Sequence, residues 1–240
     1  MYKIVVLELK QVVANEDFIV HPIVIVDSSQ LILVDCGFIG SIEQLKKEFI
    51  KNDLEIKYLK KIIVTHHDHD HIANLSELKK ENPNLKIYAS KEEKEYIEGS
   101  IEPFRLTQAK KMQAFLSGEK AEWGLNFMEM LKSVELANVD EIVADKTIVP
   151  CNTKVEIVET YGHTKGHISV YLEEAKTLIT GDALVVIDNE LKLANPELSY
   201  DLEKAKQSLI KLLDYDIEKV ICYHGGIFEN DFVNAINKLL

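Results

Sequence analysis

Cysteine, glycine, proline and arginine are all scarce in this chain. Cys36, Cys151 and Cys222 are the only thiols among 240 residues. They are odd in number, far apart and form no Cys-x-x-Cys pair, which speaks against a disulfide framework or a thiolate zinc site. With 10 Gly and 5 Pro and no repeat or low-complexity tract, nothing reads as linker or fibre. No window of 18 apolar residues is free of charge, so no segment reads as a membrane span. The start, MYKIVVLELKQ, meets Glu8 early and lacks a small-residue cleavage site, unlike a signal peptide. Positive charge is short as well: 28 Lys+Arg against 40 Asp+Glu leave a net charge of −12. A nucleic-acid binder would present a basic face. These absences predict a cytoplasmic protein with neither nucleic acid nor membrane as partner.

Apolar residues are plentiful, at 46% of the chain, enough for a substantial core. The length fits one layered domain over residues 1–240. Val- and Ile-rich runs predict strands at 2–9, 18–26 and 31–35, with Asp27-Ser28-Ser29-Gln30 turning between the last two. Ser41 is placed to cap a helix running to about Asn52. A short strand at 60–64 precedes a helix over 70–81 and a strand at 85–89. A helical insert follows, about 91–134, holding three of the four Met, the only Trp and the only Arg. Within it Trp123, Phe127, Met130, Leu131 and Val134 share one helical face. Strands return at 147–149, 154–159, 168–172 and 177–180. A helix (201–213), a strand (219–222) and a closing helix (229–240) end the chain. Two strand-then-helix halves of this kind predict an α/β (α+β) protein, two sheets face to face with helices outside.

Seven of the eight His fall in three short clusters just beyond apolar strands; His21 reads as strand surface. The first cluster, His66-His67-Asp68-His69-Asp70-His71, places six imidazoles and carboxylates in succession at a strand end. Burying them unpaired costs several kcal/mol each, and a bound metal removes that cost. Residues 66, 68 and 70 point to one side of an extended stretch, and His71 can swing back from the helix that follows. The other features are Gly162-His163-Thr164-Lys165-Gly166-His167, then Gly181-Asp182, then His224-Gly225-Gly226. Each is unremarkable alone; a surface loop or a turn is its ordinary reading. Together they are four groups of ligand-type residues leaving strand ends, where function gathers in layered folds.

The string His66-x-Asp68-x-Asp70-His71, Gly-His163-Thr-x-Gly-His167, Gly-Asp182 and His224-Gly resembles the metallo-β-lactamase superfamily. Val34-Asp35-Cys36-Gly37 is similar to that family's Asp-x-Gly turn, and the resemblance runs from about residue 18 to 228. It implies a four-layer αβ/βα sandwich with a two-metal site at one edge of the sheets. Carried over, it implies that His66, Asp68 and His163 hold one divalent metal. Asp70, His71 and His224 hold the second, with Asp182 bridging and His167 orienting ligands. His67 and His69 have no ligand role in that pattern, and are expected to be exposed or to support the ligands. The family usually has His where this chain has Asp68. A hard carboxylate donor keeps zinc as the first expectation but raises iron and manganese as alternatives.

The implied activity is hydrolysis of an ester, lactone, thioester or phosphodiester by a hydroxide shared between two metals, with Asp70 orienting the nucleophile. No Gly-x-Ser-x-Gly nucleophile motif competes with it. Lactonases of the superfamily carry a Tyr soon after the bridging Asp; here the sequence reads Ala183-Leu184-Val185-Val186. Only sixteen residues follow His224, too few for the glutathione-binding helices of related thioesterases. The insert is the expected pocket wall or lid, with Phe104, Met112, Phe115, Trp123 and Phe127 as candidate apolar lining. Arg105 is a candidate to grip a substrate carboxylate or phosphate, set against an ordinary surface role. Rival expectations are an iron-binding redox or oxygen-sensing protein on the same residues, and a non-catalytic binding protein, a homodimer through the insert.

Overall fold

In a computed structural model describing residues 2–13, 16–28 and 30–240, the chain folds as two facing six-stranded sheets flanked by helices. Its elements, in order, are β1 (Lys3–Val6), β2 (Leu9–Val13), β3 (Glu16–Val20), β4 (Ile23–Asp27), β5 (Gln30–Val34), α1 (Ile42–Lys51), β6 (Leu59–Ile63), α2 (His69–Ile72), α3 (Leu75–Glu81) and β7 (Lys86–Ser90). Three helices follow, α4 (Lys91–Ile97), α5 (Phe104–Gln113) and α6 (Glu119–Lys132), before β8 (Glu141–Val143). The second half runs β9 (Ile148–Val149), β10 (Val155–Glu159), β11 (Ile168–Leu172), β12 (Thr177–Ile179), β13 (Val185–Ile187), β14 (Glu190–Lys192), α7 (Leu202–Leu212), β15 (Lys219–Cys222), β16 (Gly226–Phe228) and α8 (Phe232–Asn237).

One sheet has the order β1-β4-β5-β6-β7-β8 and the other β16-β15-β12-β11-β10-β9. Alternation along β5 explains the layering. Leu31 and Leu33 face a core shared with Leu45 and Phe49 of α1, whereas Ile32 and Val34 face the opposite sheet. The inter-sheet core joins them to Ile63, Ile157, Val170, Ile179 and Ile221. The outer face of the second sheet packs Leu178, Val220 and Cys222 on Leu209 and Leu212 of α7 and Phe232 of α8. Each fully buried aliphatic side chain here contributes roughly 1.5–3 kcal/mol. That packing fixes the strand ends from which the site hangs. The result is the expected four-layer αβ/βα sandwich.

Several expected boundaries shift, each for a local reason. The strand expected over 2–9 breaks at Leu7, whose N–H donates to Pro22 O, and the one over 18–26 breaks at His21-Pro22. Proline has no N–H for a ladder, so β2 and β3 leave the main sheet and pair as a hairpin of their own. His21 accordingly lies between strands, its Nδ1 3.2 Å from Tyr223 O. The 27–30 turn does join β4 to β5 through the Asp27–Gln30 pair, although Ser29 itself lies outside the described residues. The helix expected over 70–81 divides at Ala73-Asn74, where Asn74 Nδ2 donates to Cys36 O and Ser41 Oγ. Ser41 does precede α1, yet its hydroxyl donates to Phe38 O and makes no capping bond. The closing helix is shorter than expected, covering Phe232–Asn237.

In α6 the buried positions are Gly124, Met128 and Leu131, one step round from the expected Trp123–Phe127 stripe. Val134 lies beyond the helix end. Trp123 is 56% exposed, and its ring stacks on Phe127 with centroids 5.1 Å apart.

Candidate metal centre

Five strand ends converge at one edge of the sandwich. Beyond β6 come Thr65 and His66, beyond β5 Asp35, beyond β10 His163, beyond β12 Asp182 and beyond β15 His224. Two glycines make the convergence possible. Gly162 has φ +135°, and a Cβ there would lie 2.2 Å from the Ala205 nitrogen. Gly181 has φ +51°, and a Cβ would lie 2.7 Å from Thr65 Oγ1. Positive φ and such close approach both favour glycine.

His66, Asp68, Asp70, His71, His163, Asp182 and His224 all meet here. They form three overlapping groups, His66–Asp68–His163, His66–His71–Asp182 and Asp70–His71–His224, whose ligand atoms lie within 4.8 Å of one another. The carboxylate of Asp182 divides between two sides. Its Oδ2 is 3.6 Å from His163 Nε2 and 4.0 Å from His66 Nε2. Its Oδ1 is 3.4 Å from both His71 Nε2 and His224 Nε2. Asp68 Oδ2 lies 3.3 Å from His163 Nε2 on the first side, and Asp70 Oδ2 lies 3.2 Å from His224 Nε2 on the second.

His66 Nε2, His71 Nε2, Asp68 Oδ1 and Asp182 Oδ1 are buried without a hydrogen-bond partner. Buried polar atoms are normally satisfied. Orphaned acceptors aimed at a common space, from imidazoles and carboxylates alone, fit a divalent cation.

The acceptor state of two imidazoles is fixed from behind. Asp35, at φ +57°, accepts from Thr65 N, Thr65 Oγ1 and His71 Nδ1 at 2.7–2.8 Å. Thr65 Oγ1, having given its proton to Asp35, accepts from His66 Nδ1 at 3.0 Å. Both rings therefore turn an Nε2 lone pair to the centre, the usual arrangement behind metal-binding His. His167 acts on Asp182 in another way: its Nε2 accepts the Asp182 N–H at 3.0 Å, and its Nδ1 meets Thr160 Oγ1 at 2.9 Å. Burial and the neighbouring His66 and His163 rings hold its pKa well below the usual value, consistent with a neutral acceptor.

Charge balance follows the same geometry. Burial opposes ionisation of Asp182, but the His224 and His71 rings outweigh it and hold its pKa well below the usual carboxylate range. Burial likewise disfavours the charged form of His224, and Asp182 and Asp70 nevertheless push it up to about 10. The seven groups thus form a nest of negative charge that takes up protons or another cation.

Three expectations about nearby residues need correction. Arg105 is neither a surface residue nor free to grip substrate. Its Nη2 donates to Asp68 Oδ2 at 2.6 Å, and Nη1 to Gln108 Oε1 and Leu198 O. Phe104 lines neither the metal cleft nor the insert cavity; its ring packs edge-on against Tyr200 and its N–H donates to His67 Nε2. Phe115 is 88% exposed and lines no cavity. Trp123 belongs to a cavity between α5 and α6, beside the metal cleft.

His67, far from exposed, is buried, stacked on Tyr96 and paired through Nδ1 with Glu93. Glu93 also accepts from the N–H groups of His67 and Gly166 and from Thr164 Oγ1, so it ties the loops carrying His66 and His163 together. Neither Asp35 nor Glu93 is an expected ligand. The only signals were the Asp-x-Gly turn for the first and an acidic residue in the first turn of α4 for the second.

The cleft over the seven residues measures about 390 Å³. Phe18 of β3 and Val185, Val186 and Ile187 of β13 wall one flank, and Phe127 and Leu198 the other. His69, beside Asp70, also faces it.

A family model described as the metallo-beta-lactamase superfamily matches residues 16–224. The probable metallo-hydrolase YflN of Bacillus subtilis is 25% identical over 245 residues, covering 95% of this chain and 88% of that protein. A hydroxyacylglutathione hydrolase of Prochlorococcus marinus is 26% identical over 183 residues, 71% of this chain and 55% of that one. Among solved structures, a metallo-beta-lactamase family protein from Thermus thermophilus superposes with TM-score 0.72 at 19% identity. That match covers 98% of this chain and 77% of the other.

Proposed function

From the premise that the chain belongs to the metallo-β-lactamase superfamily, we propose that it is a two-metal hydrolase of a small carbonyl or phosphoryl ester. One observation carries this reading: the two oxygens of Asp182 each face a separate pair of imidazoles. His66, Asp68 and His163 would hold one cation, Asp70, His71 and His224 the other, and Asp182 would bridge. Four imidazoles and three carboxylates suit zinc, with the added carboxylate of Asp68 opening the site to iron or manganese. Divalent cations bound there supply Lewis acidity and lower the pKa of water from about 15.7 to roughly 7, enough for attack on an electrophilic carbonyl or phosphorus at neutral pH.

The chain's own residues do the rest. Burial opposes the charge on Asp70, but the His71 and His69 rings hold its pKa below the usual range, so it is an acceptor at neutral pH and orients the attacking water. Asp35 and Thr65 keep His66 and His71 in one tautomer. Phe18, Val186 and Phe127 restrict water around the reacting group, which strengthens electrostatic interactions inside the cleft. No described helix is long and apolar enough to cross a membrane. Three free cysteines and the acidic balance support a cytoplasmic enzyme of small molecules.

The test is elemental analysis of the purified protein followed by a hydrolysis screen over lactones, thioesters and phosphodiesters. Two equivalents of divalent metal with turnover are expected. In the His66→Ala, His163→Ala double variant both should be lost while the circular dichroism spectrum persists. Full turnover in that variant after chelation would end the proposal, and a redox-active iron centre without turnover would replace it.

A further inference from the structure

The cleft over the metal ligands has a neighbouring cavity. Between α5 and α6 lies a second one of about 180 Å³, lined by Ala109, Met112, Leu116, Trp123, Gly124 and Phe127. Arg105, Phe127 and Leu198 border both spaces, so the second lies directly beside the first. We propose that this insert cavity binds the unbranched apolar acyl chain of an ester or thioester substrate whose carbonyl lies over the metal ligands. The inference rests on the hydrolase reading for its reaction and on the insert's own geometry for its specificity.

Two features of the insert point the same way. Trp123 and Met112 are each more than half exposed, although the insert buries only Leu106, Met128 and Leu131 as its own core. Large apolar side chains left open around a concavity mark a binding surface more often than a packing fault. Trp123 and Phe127 stack at an interplanar angle of 9°, presenting a flat apolar wall against flexible Met112 and Leu116.

Charge narrows the class further. Among the described residues lining the two spaces, Arg105 is the one Lys or Arg, and Asp68 already engages it at 2.6 Å. Away from the metal ligands, an anionic headgroup finds no free cation in either space, whereas a neutral apolar chain needs none.

The experiment uses the zinc-loaded protein and p-nitrophenyl esters from acetyl to decanoyl. kcat/KM is expected to rise about fourfold per added methylene, equivalent to about 0.8 kcal/mol, and to level off once the cavity is full. Ala109→Phe, which fills the cavity, should cut the octanoyl-to-acetyl ratio of kcat/KM more than tenfold with metal content unchanged. A second readout needs no catalysis. Trp123 is the only Trp, so its emission under titration with butanol, hexanol and octanol should saturate at falling concentrations in the native protein and not in Ala109→Phe.

Chain-length-independent hydrolysis with no response of Trp123 emission would overturn the acyl site and leave the hydrolase standing. Binding of the alcohols with the stated dependence but no turnover of any ester would keep the site and remove the hydrolase. A dimer in ultracentrifugation that Trp123→Ser dissolves, with no dependence on chain length, would assign the apolar surface to a second copy and overturn the proposal.

Discussion

The two sides of the centre are built from the same residue types, yet they are held differently. On the His71 side the support is rigid and comes from the sheets. Asp35 grips His71 directly, and through Thr65 it also holds His66 of the other side; Tyr223 Oη donates to Asp70 O, and Tyr223 itself is fully buried. On the His163 side a cation of the protein takes part: Arg105, reaching in from α5, satisfies Asp68. A neutral imidazole at position 68 would give a guanidinium nothing to pair with. The carboxylate and the arginine therefore make sense as a pair, and the pair ties the His163 side to the insert.

The strongest way to break that contrast is to remove what both sides share. Asp182→Ala deletes the only group facing all four imidazoles. Changes to groups that merely support metal ligands cost about 10–100-fold, so loss of the bridge should lower hydrolysis by more than roughly 100-fold and leave less than one metal per chain by elemental analysis. Retention of two metals would show that the sides are independent.

Arg105→Gln separates the two sides. It takes the guanidinium from buried Asp68 and leaves it the His163 ring at 3.3 Å, which should destabilise the metal-free protein by about 1–3 kcal/mol, read in urea melts after chelation. Adding zinc should restore most of that loss, because the freed carboxylate gains the cation in place of the guanidinium. Equal destabilisation with and without zinc would make Arg105 a purely structural residue.

The smallest effect sharpens the second side through pH. Burial disfavours its charge, but the carboxylates of Asp182 and Asp70 push His224 up to about 10. A raised value means that the metal-free protein holds this proton at pH 7 and must release it to bind metal. Affinity should then rise about tenfold per pH unit between pH 7 and 10 for that one proton. Titration calorimetry in two buffers of different ionisation enthalpy should count at least one proton released per chain at pH 7. No release would mean that another group carries the charge.

Much of the centre is legible in sequence because its ligand-type residues sit directly after apolar strands, a local signal that needs no knowledge of partners. The layers are legible in the order of elements, two strand-then-helix halves around one helical insert. What escaped is what depends on distant contacts. Glu93 works on Thr164 and Gly166, more than 70 residues away. Arg105 is a lone cation whose partner lies 37 residues upstream, and nothing in its neighbours shows that it turns inward. In α6 the periodicity is genuine, but the cavity beside Gly124 rotates the buried stripe by one position, so Trp123 faces a space that the pattern alone assigns to core. At Pro22 and Ala73 the apolar pattern runs on across a break that a missing N–H or an Asn side chain imposes.

The bond from the Phe104 N–H to His67 Nε2 has a consequence for how such a protein diversifies. The stretch between β7 and β8 leaves and rejoins the molecule at two adjacent parallel strands, and near the ligands it is fastened at consecutive positions, 104 and 105. A module attached in that way can be exchanged for one of another shape while the catalytic loop keeps its two moorings. Natural variation in chemical taste would then accumulate beyond residue 105, with the reaction itself left untouched.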